Sequence, residues 1–354
     1  MKLPAIRNRV VALVALATLI PAASRADTVT YEMVTVGNAG NAADTTGYGA
    51  VNYEYQIGKY DVTIGQYTAF LNAVDPGGTN PYGLYRSEMG TNLNIAGISF
   101  TAGAASGSKY AVMSGSGSRP ITYVSWFDAA RLANWMQNGQ GSGSTETGAY
   151  TLNGATTGTA PAKNGGASFW IPTENEWYKA AYYDPTKGGL GGYWAYGTQS
   201  DTAPGNTIGS ASNQANYRVS SAYSVTQTSV YSATQNYLTD VGAFTGSVSF
   251  YGTFDQSGLV FQWNDLTGSS GSSRGQRGGY WNFQSANSVS SSYRFTYASS
   301  NESYDTGFRL AGLTSSPVPE IDPAGMGSVM ALVSGFLALL ERRRRPELVP
   351  ARAG

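Results

Sequence analysis

Apolar residues come in short bursts along this chain, and the spacing inside each burst predicts its element. Val29 to Val36 and Tyr53-Glu54-Tyr55-Gln56-Ile57 alternate apolar with polar, the period of half-buried strands. From Asp61 to Val74 the period changes. Tyr67, Phe70, Leu71 and Val74 fall at i, i+3, i+4 and i+7, one face of a helix. Thr63 and Gln66 make a capping box at its start, and Asp75-Pro76-Gly77 stops it. Residues 78–118 are turn-rich. Arg119 to Val124 is a strand by pattern, and Ser125, with Asp128 three residues on, caps a second helix that runs to Asn138-Gly139. The Gly/Ser/Thr-rich stretch 138–167 is expected as a long surface loop with one hairpin around Tyr150 to Gly154.

The densest apolar burst is Ala167 to Pro185. A short strand leads into a third helix, in which Thr173 and Glu176 form a capping box and Trp177, Ala180 and Ala181 share a face. Asp184-Pro185 ends it, because the residue before proline is pushed out of helical geometry. From Gly188 onward the pattern holds no further helix, only short strands, turns and compact motifs. These are Gln214 to Tyr217, Tyr251 to Trp263, and Arg277-Gly278-Gly279-Tyr280-Trp281, leading to Gly307-Phe308-Arg309-Leu310. The fold class is therefore mixed α/β (α+β), rich in loops.

The ends differ in kind from this body. Lys2, Arg7 and Arg9 precede the apolar run Val10 to Ile20, and Ser24-Arg25-Ala26 offers a cleavage site, so residues 1–26 have the three parts of a secretory signal peptide. The body spans 27–314. Pro319-Glu320-Ile321-Asp322-Pro323 then introduces an uncharged apolar stretch, 324–340, at the lower length limit for a membrane span. Arg342 to Arg345 follows as a cytoplasmic stop, leaving 346–354 as a cytoplasmic tail.

Composition narrows the chemistry. Charged residues are 12% of the chain and net charge is zero, so no basic face for a nucleic-acid partner is expected. There is no cysteine and no histidine. That excludes disulfides, thiolate nucleophiles, Ser-His-Asp triads and zinc or iron sites built on these ligands. Carboxylate, Tyr, Lys, Ser and oxygen-ligated metal chemistry remain, and calcium suits such an inventory. Glu174 and Glu176 suggest a glycosidase pair, but residues two apart on a helix point to opposite sides. Capping accounts for Glu176. Arg277, Arg294 and Arg309 are expected in structural pairs, and Tyr280, Trp281, Phe283, Tyr293 and Tyr297 as either core or a stacking surface.

Several of these motifs together resemble the formylglycine-generating enzyme (sulfatase-modifying factor) family over most of residues 30–313. The motifs in order are Ile57 to Thr63; Pro120 to Trp126 with Asp128-Ala129; Ile171-Pro172-Thr173-Glu174 with Glu176-Trp177 and Ala180-Ala181; Tyr251 to Trp263; Arg277-Gly278-Gly279; and Gly307-Phe308-Arg309. The resemblance implies a variant of the C-type lectin fold with structural calcium. One implied site comprises Asn216 and the Tyr217 and Phe244 carbonyls. The other comprises Asp255, the Gly258 and Val260 carbonyls, and Gln262. Gln262 stands where the family usually has a glutamate, and Gly242 where some members have an aspartate, which lowers the charge that sets calcium affinity. The alternative is that these residues merely cap turns.

The family's copper-holding cysteine pair would fall at about Phe283 and Ser288. Neither supplies a thiolate, and the iron-using relatives need histidines, so no copper or iron is expected. The candidate ligand groove comprises Trp281, Phe283, Ser288, Tyr293 and Arg294. The C-terminal segment resembles a PEP-CTERM sorting signal over 315–345. With the leader it implies export by a Gram-negative bacterium, processing by signal peptidase and exosortase, and location in the cell envelope, at the cell surface or in the extracellular matrix. The expected function is non-catalytic binding of an exported peptide or glycan. The alternatives are an enzyme with a cysteine-free, histidine-free site, such as a formylglycine-generating-type oxidoreductase, and a structural matrix component without a discrete ligand.

Overall fold

A computed structural model describes residues 28–313. The leader, the membrane-length stretch 324–340 and the rest of the sorting tail lie outside the described residues. Among the described residues no helix is long and apolar enough to cross a membrane.

Strands β1 (Met33–Val36) and β2 (Tyr55–Gly58) form an antiparallel pair, Met33 opposite Gly58. Helix α1 (Ile64–Val74) follows its capping box, in which Thr63 Oγ1 accepts from Gln66 N at 3.2 Å and Gln66 Oε1 from Thr63 N at 2.9 Å. The turn-rich segment contains a one-turn helix, α2 (Glu88–Thr91), and a small hairpin of β3 (Ile98–Phe100) and β4 (Tyr110–Val112) that the sequence pattern had not resolved. Helix α3 (Trp126–Gln137) starts on the Ser125–Asp128 box. Strand β5 (Phe169–Trp170) leads into α4 (Glu174–Tyr182), capped by Thr173 and Glu176. The short strands β6 (Tyr183–Asp184) and β7 (Gly192–Tyr193) pair next. Beyond them stand β8 (Phe261–Asn264), β9 (Ser273–Arg277), β10 (Phe295–Ala298), β11 (Thr306–Gly307) and β12 (Ala311–Gly312).

Two four-stranded sheets organise these pieces. One runs β1-β2-β12-β5, so the last strand inserts between early ones and ties both ends of the domain into a single sheet. The other runs β10-β9-β8-β11 and leaves β10 at an edge. The main core fills the space between α1, α3 and the first sheet. Tyr67, Phe70 and Leu71 of α1 meet Trp126, Phe127 and Ala130 of α3, with Ile57, Trp170, Phe308 and Leu310, all at most 2% exposed.

Three expectations need correction. Residues 119–124 form no strand. Pairing stops at one Thr63–Pro120 bridge because Thr63 caps α1 and its chain turns into the helix at Ile64, and Tyr123 turns out of extended geometry at φ 59°. The 138–167 insert is a long, mostly exposed loop as expected, but it holds no hairpin and is anchored at its middle. The Asn134 side chain donates to the carbonyls of Thr145 and Tyr150 and accepts from Tyr150 N at 2.8 Å. That anchoring carries Tyr150 to full burial, and no strand pairing forms around 150–154. Helix α4 stops at Tyr182, before Asp184-Pro185, because Tyr183 is extended (ψ 134°) to pair with Tyr193.

Candidate functional site

The second sheet positions the candidate residues. Successive side chains of a strand face opposite ways, and β8 uses both directions. Phe261 lies under a set of aromatic rings, whereas Gln262 points into a buried polar cluster. Above Phe261 the rings of Tyr280, Phe283 and Phe295 lie 5.7, 5.5 and 5.8 Å away between centroids. Phe283 meets Tyr293 edge-on at 5.5 Å, Tyr293 meets Phe295 at 5.0 Å, and Phe295 meets Tyr297 at 5.9 Å. The result is a continuous aromatic band. Its outer end on β10 is open to solvent, Phe295 being 36% and Tyr297 42% exposed.

The turn that delivers the band depends on two glycines. After Arg277 the chain passes through Gly278 (φ 99°) and Gly279 (φ 75°), which L side chains disfavour. A Cβ on Gly279 would sit 2.4 Å from the Ser288 carbonyl oxygen. The return segment is then pinned by Arg277. Its Nη1 donates to the carbonyls of Ser291 (2.8 Å) and Tyr293 (3.2 Å), its Nε to Glu174 Oε1 (2.7 Å), and its guanidinium lies over the rings of Tyr48 and Tyr178, 4.7 and 4.8 Å from their centroids.

Of the five candidate groove residues, the structure brings Phe283 and Tyr293 together. Trp281 is 2% exposed and stacks on Tyr237, at 4.8 Å and 7° between planes; it is core rather than groove wall. Ser288 is 8% exposed and packs its carbonyl against Gly279. Arg294 turns away from the band to bind Glu174 with two nitrogens, at 2.7 and 2.9 Å. Phe295 escaped the sequence reading, although Tyr293, Phe295 and Tyr297 recur every second residue, the signature of one strand face.

The two glutamates of α4 do not converge. Glu174 is held by Arg277 and Arg294, and Glu176 by Tyr53, Trp170 and its own cap. A cavity of about 360 Å³ between the end of α1 and loop 142–146 lies elsewhere. Its carboxylates are engaged, Asp75 by the Thr79 and Asn80 amides and Glu146 by Arg131 and the Gly154 amide.

The implied calcium residues form two adjacent groups, joined where Leu259 N donates to Asn216 O at 2.8 Å. In the first, Tyr217 O already accepts from Asn206 Nδ2 (3.2 Å) and Ser224 Oγ (3.1 Å), and Phe244 O from Ser247 N (2.9 Å). In the second, Gln262 Oε1 accepts from Trp177 Nε1 and Arg309 Nε, both at 2.7 Å, so its NH2 faces Asp255 O at 2.8 Å. A calcium ion needs oxygens pointing at it. Here a donor nitrogen points in instead, and the second group does not fit the ion. Burial pushes the Asp61 carboxyl in this cluster up to about 8 despite Arg309 nearby. It raises Asp255 to about 6 against the Gly242 amide and Arg309, which favour the charged form.

Comparison with known proteins identifies the family. Residues 26–313 match the model of the Sulfatase-modifying factor enzyme 1-like domain. The chain belongs to that family. Among solved structures, Treponema denticola variable protein 1 is 19% identical, covering 82% of this chain and 98% of its own (TM-score 0.44). "Crystal Structure of CarF" is 20% identical, covering 81% and 100% (TM-score 0.46). No curated protein matches the chain. In this sulfatase-modifying-factor-like domain the positions implied for the family's cysteine pair carry a band phenylalanine and a buried serine.

Proposed function

We propose that this sulfatase-modifying-factor-like protein is exported and binds a peptide or glycan, without catalysis, through the aromatic band of Phe283, Tyr293, Phe295 and Tyr297. The carrying observation is the band itself. It is contiguous, free of charge and open at β10, and flat aromatic faces suit sugar rings and extended peptides alike. The chain has no cysteine or histidine with which to perform either chemistry that the family resemblance implies. Export rests on the leader and sorting-tail patterns, with signal peptidase and exosortase as processing partners. An exposed band also argues against a matrix component with no discrete ligand.

Two assays decide the proposal. The chain is co-expressed with a cysteine-containing sulfatase-type peptide and the peptide is weighed. A mass loss matching conversion of cysteine to formylglycine would overturn the non-catalytic reading. On glycan and peptide arrays, retention of the wild type and its loss in Phe295→Ala and Tyr297→Ala is the expected result. Retention unchanged in both variants would place the ligand elsewhere.

A further inference from the structure

We infer that the amide of Gln262, fixed by the buried Arg309 guanidinium, holds the β8 loop at the second group without calcium. Arg309 is fully buried. Its Nη1 donates to the carbonyls of Gly58 (2.9 Å) and Lys59 (3.3 Å), its Nη2 to that of Phe254 (2.7 Å), and its Nε to Gln262 Oε1 (2.7 Å). The Asp61 carboxyl stands 3.6 Å from Arg309 Nη2 at the edge of this set. The centre thus gathers oxygens from the end of β2, the loop before β8 and β8 itself, much as a hard cation gathers a shell of carbonyls and carboxylates. A guanidinium does the same task with directed donors and stays charged at every accessible pH.

Gln262 carries the difference from a calcium-holding arrangement. Two N–H donors fix its oxygen, so the amide cannot turn over without setting its NH2 against Trp177 Nε1 and Arg309 Nε. In the observed orientation the NH2 reaches Asp255 O (2.8 Å) and Asp61 Oδ2 (3.3 Å) and bridges oxygens that a metal would otherwise draw together. A glutamate here would keep the first oxygen on Trp177 and Arg309 but turn a second one toward Asp255 O. Relieving that contact takes a proton or a cation. On this argument the difference between amide and carboxylate at residue 262 decides whether the loop needs calcium.

The test counts calcium ions bound per full chain by native mass spectrometry, with melting temperature in EDTA and in excess calcium as a second readout. Wild type and Asp255→Ala are expected to bind the same number. Gln262→Glu should bind one ion more and melt higher in calcium than in EDTA. An ion lost in Asp255→Ala, or an unchanged count in Gln262→Glu, would overturn the inference. Should Gln262→Glu fail to fold, the comparison of wild type with Asp255→Ala decides it alone: equal counts support the inference and a lost ion refutes it.

Discussion

Substituting Glu174 by Gln should cost far more than removing the exposed edge of its network, Arg294. Glu174 is 5% exposed and shares one carboxylate between Arg277, 1% exposed, and Arg294, 35% exposed. Glutamine preserves the shape and one acceptor but removes the charge. That leaves the Arg277 guanidinium buried without a counter-ion, a situation that costs about 3–5 kcal/mol, a large share of the roughly 5–15 kcal/mol that stabilises a domain. Arg294→Gln leaves the buried Glu174–Arg277 pair intact. Because Arg294 is one-third exposed, water screens its half of the network, and the loss should be about 1 kcal/mol or less. Urea denaturation of both variants and of the double variant measures each cost and the coupling between them. The measurement repeated at about 1 M salt separates them further, since the screening length falls to about 3 Å and only surface pairs fade. The reasoning fails if Glu174→Gln costs no more than Arg294→Gln, or if both effects vanish together in salt. The consequence would reach the aromatic band, because the same Arg277 holds the Ser291 and Tyr293 carbonyls beneath it.

Other outcomes follow from the same geometry. Burial and the nearby Glu302 charge raise the Asp128 carboxyl to about 7 from 3.8, so the fold holds its proton more tightly than the unfolded chain does. Stability should therefore fall as pH rises from about 4 to about 7; melting temperatures at pH 5 and 8 should show a flatter slope for Asp128→Asn than for wild type. Gly279→Ala combines a positive φ with a Cβ 2.4 Å from the Ser288 carbonyl and should destabilise by at least about 1–3 kcal/mol in urea titration. Trp281→Ala, which removes a buried stacked ring, should cost about 3–5 kcal/mol. Phe295→Ala and Tyr297→Ala, on the open edge, should stay within about 1 kcal/mol of wild type in the same titration while losing ligand retention.

Helices α1, α3 and α4 were legible because their signals are local, whereas α2, which has no side-chain cap, was not. Each of α1, α3 and α4 carries a Thr or Ser cap answered three residues later by Gln, Asp or Glu, and each box forms as spaced. Long-range pairing was not legible. Nothing in Ala311-Gly312 says that two residues near the end of the body will slot between β2 and β5, and nothing in a Gly/Ser-rich insert says that Asn134 will pin Tyr150 in the core. The site was half legible for the same reason. Phe283 and Tyr293 were named correctly as neighbours. Arg294, a groove candidate because the resembled family builds its groove in this third of the chain, faces away from the band and makes the structural pair also expected of it, with Glu174.

The alternation of side chains along a strand also explains how the scaffold and the aromatic band can vary separately. On β8, Phe261 serves the band while Gln262, one residue on, serves the Arg309 cluster; Arg277 pins the return segment from below, through carbonyl oxygens that every residue type supplies. The polar groups that hold the framework, Glu174 with Arg277 and Gln262 with Arg309, satisfy one another and draw nothing from the side chains at 283 or 293. Exchanging a ring in the band therefore alters what the surface can contact while leaving the buried charges paired. A domain arranged in this way can vary the rings of its band without losing its fold, and the stability of the band variants relative to Trp281→Ala measures how complete that separation is.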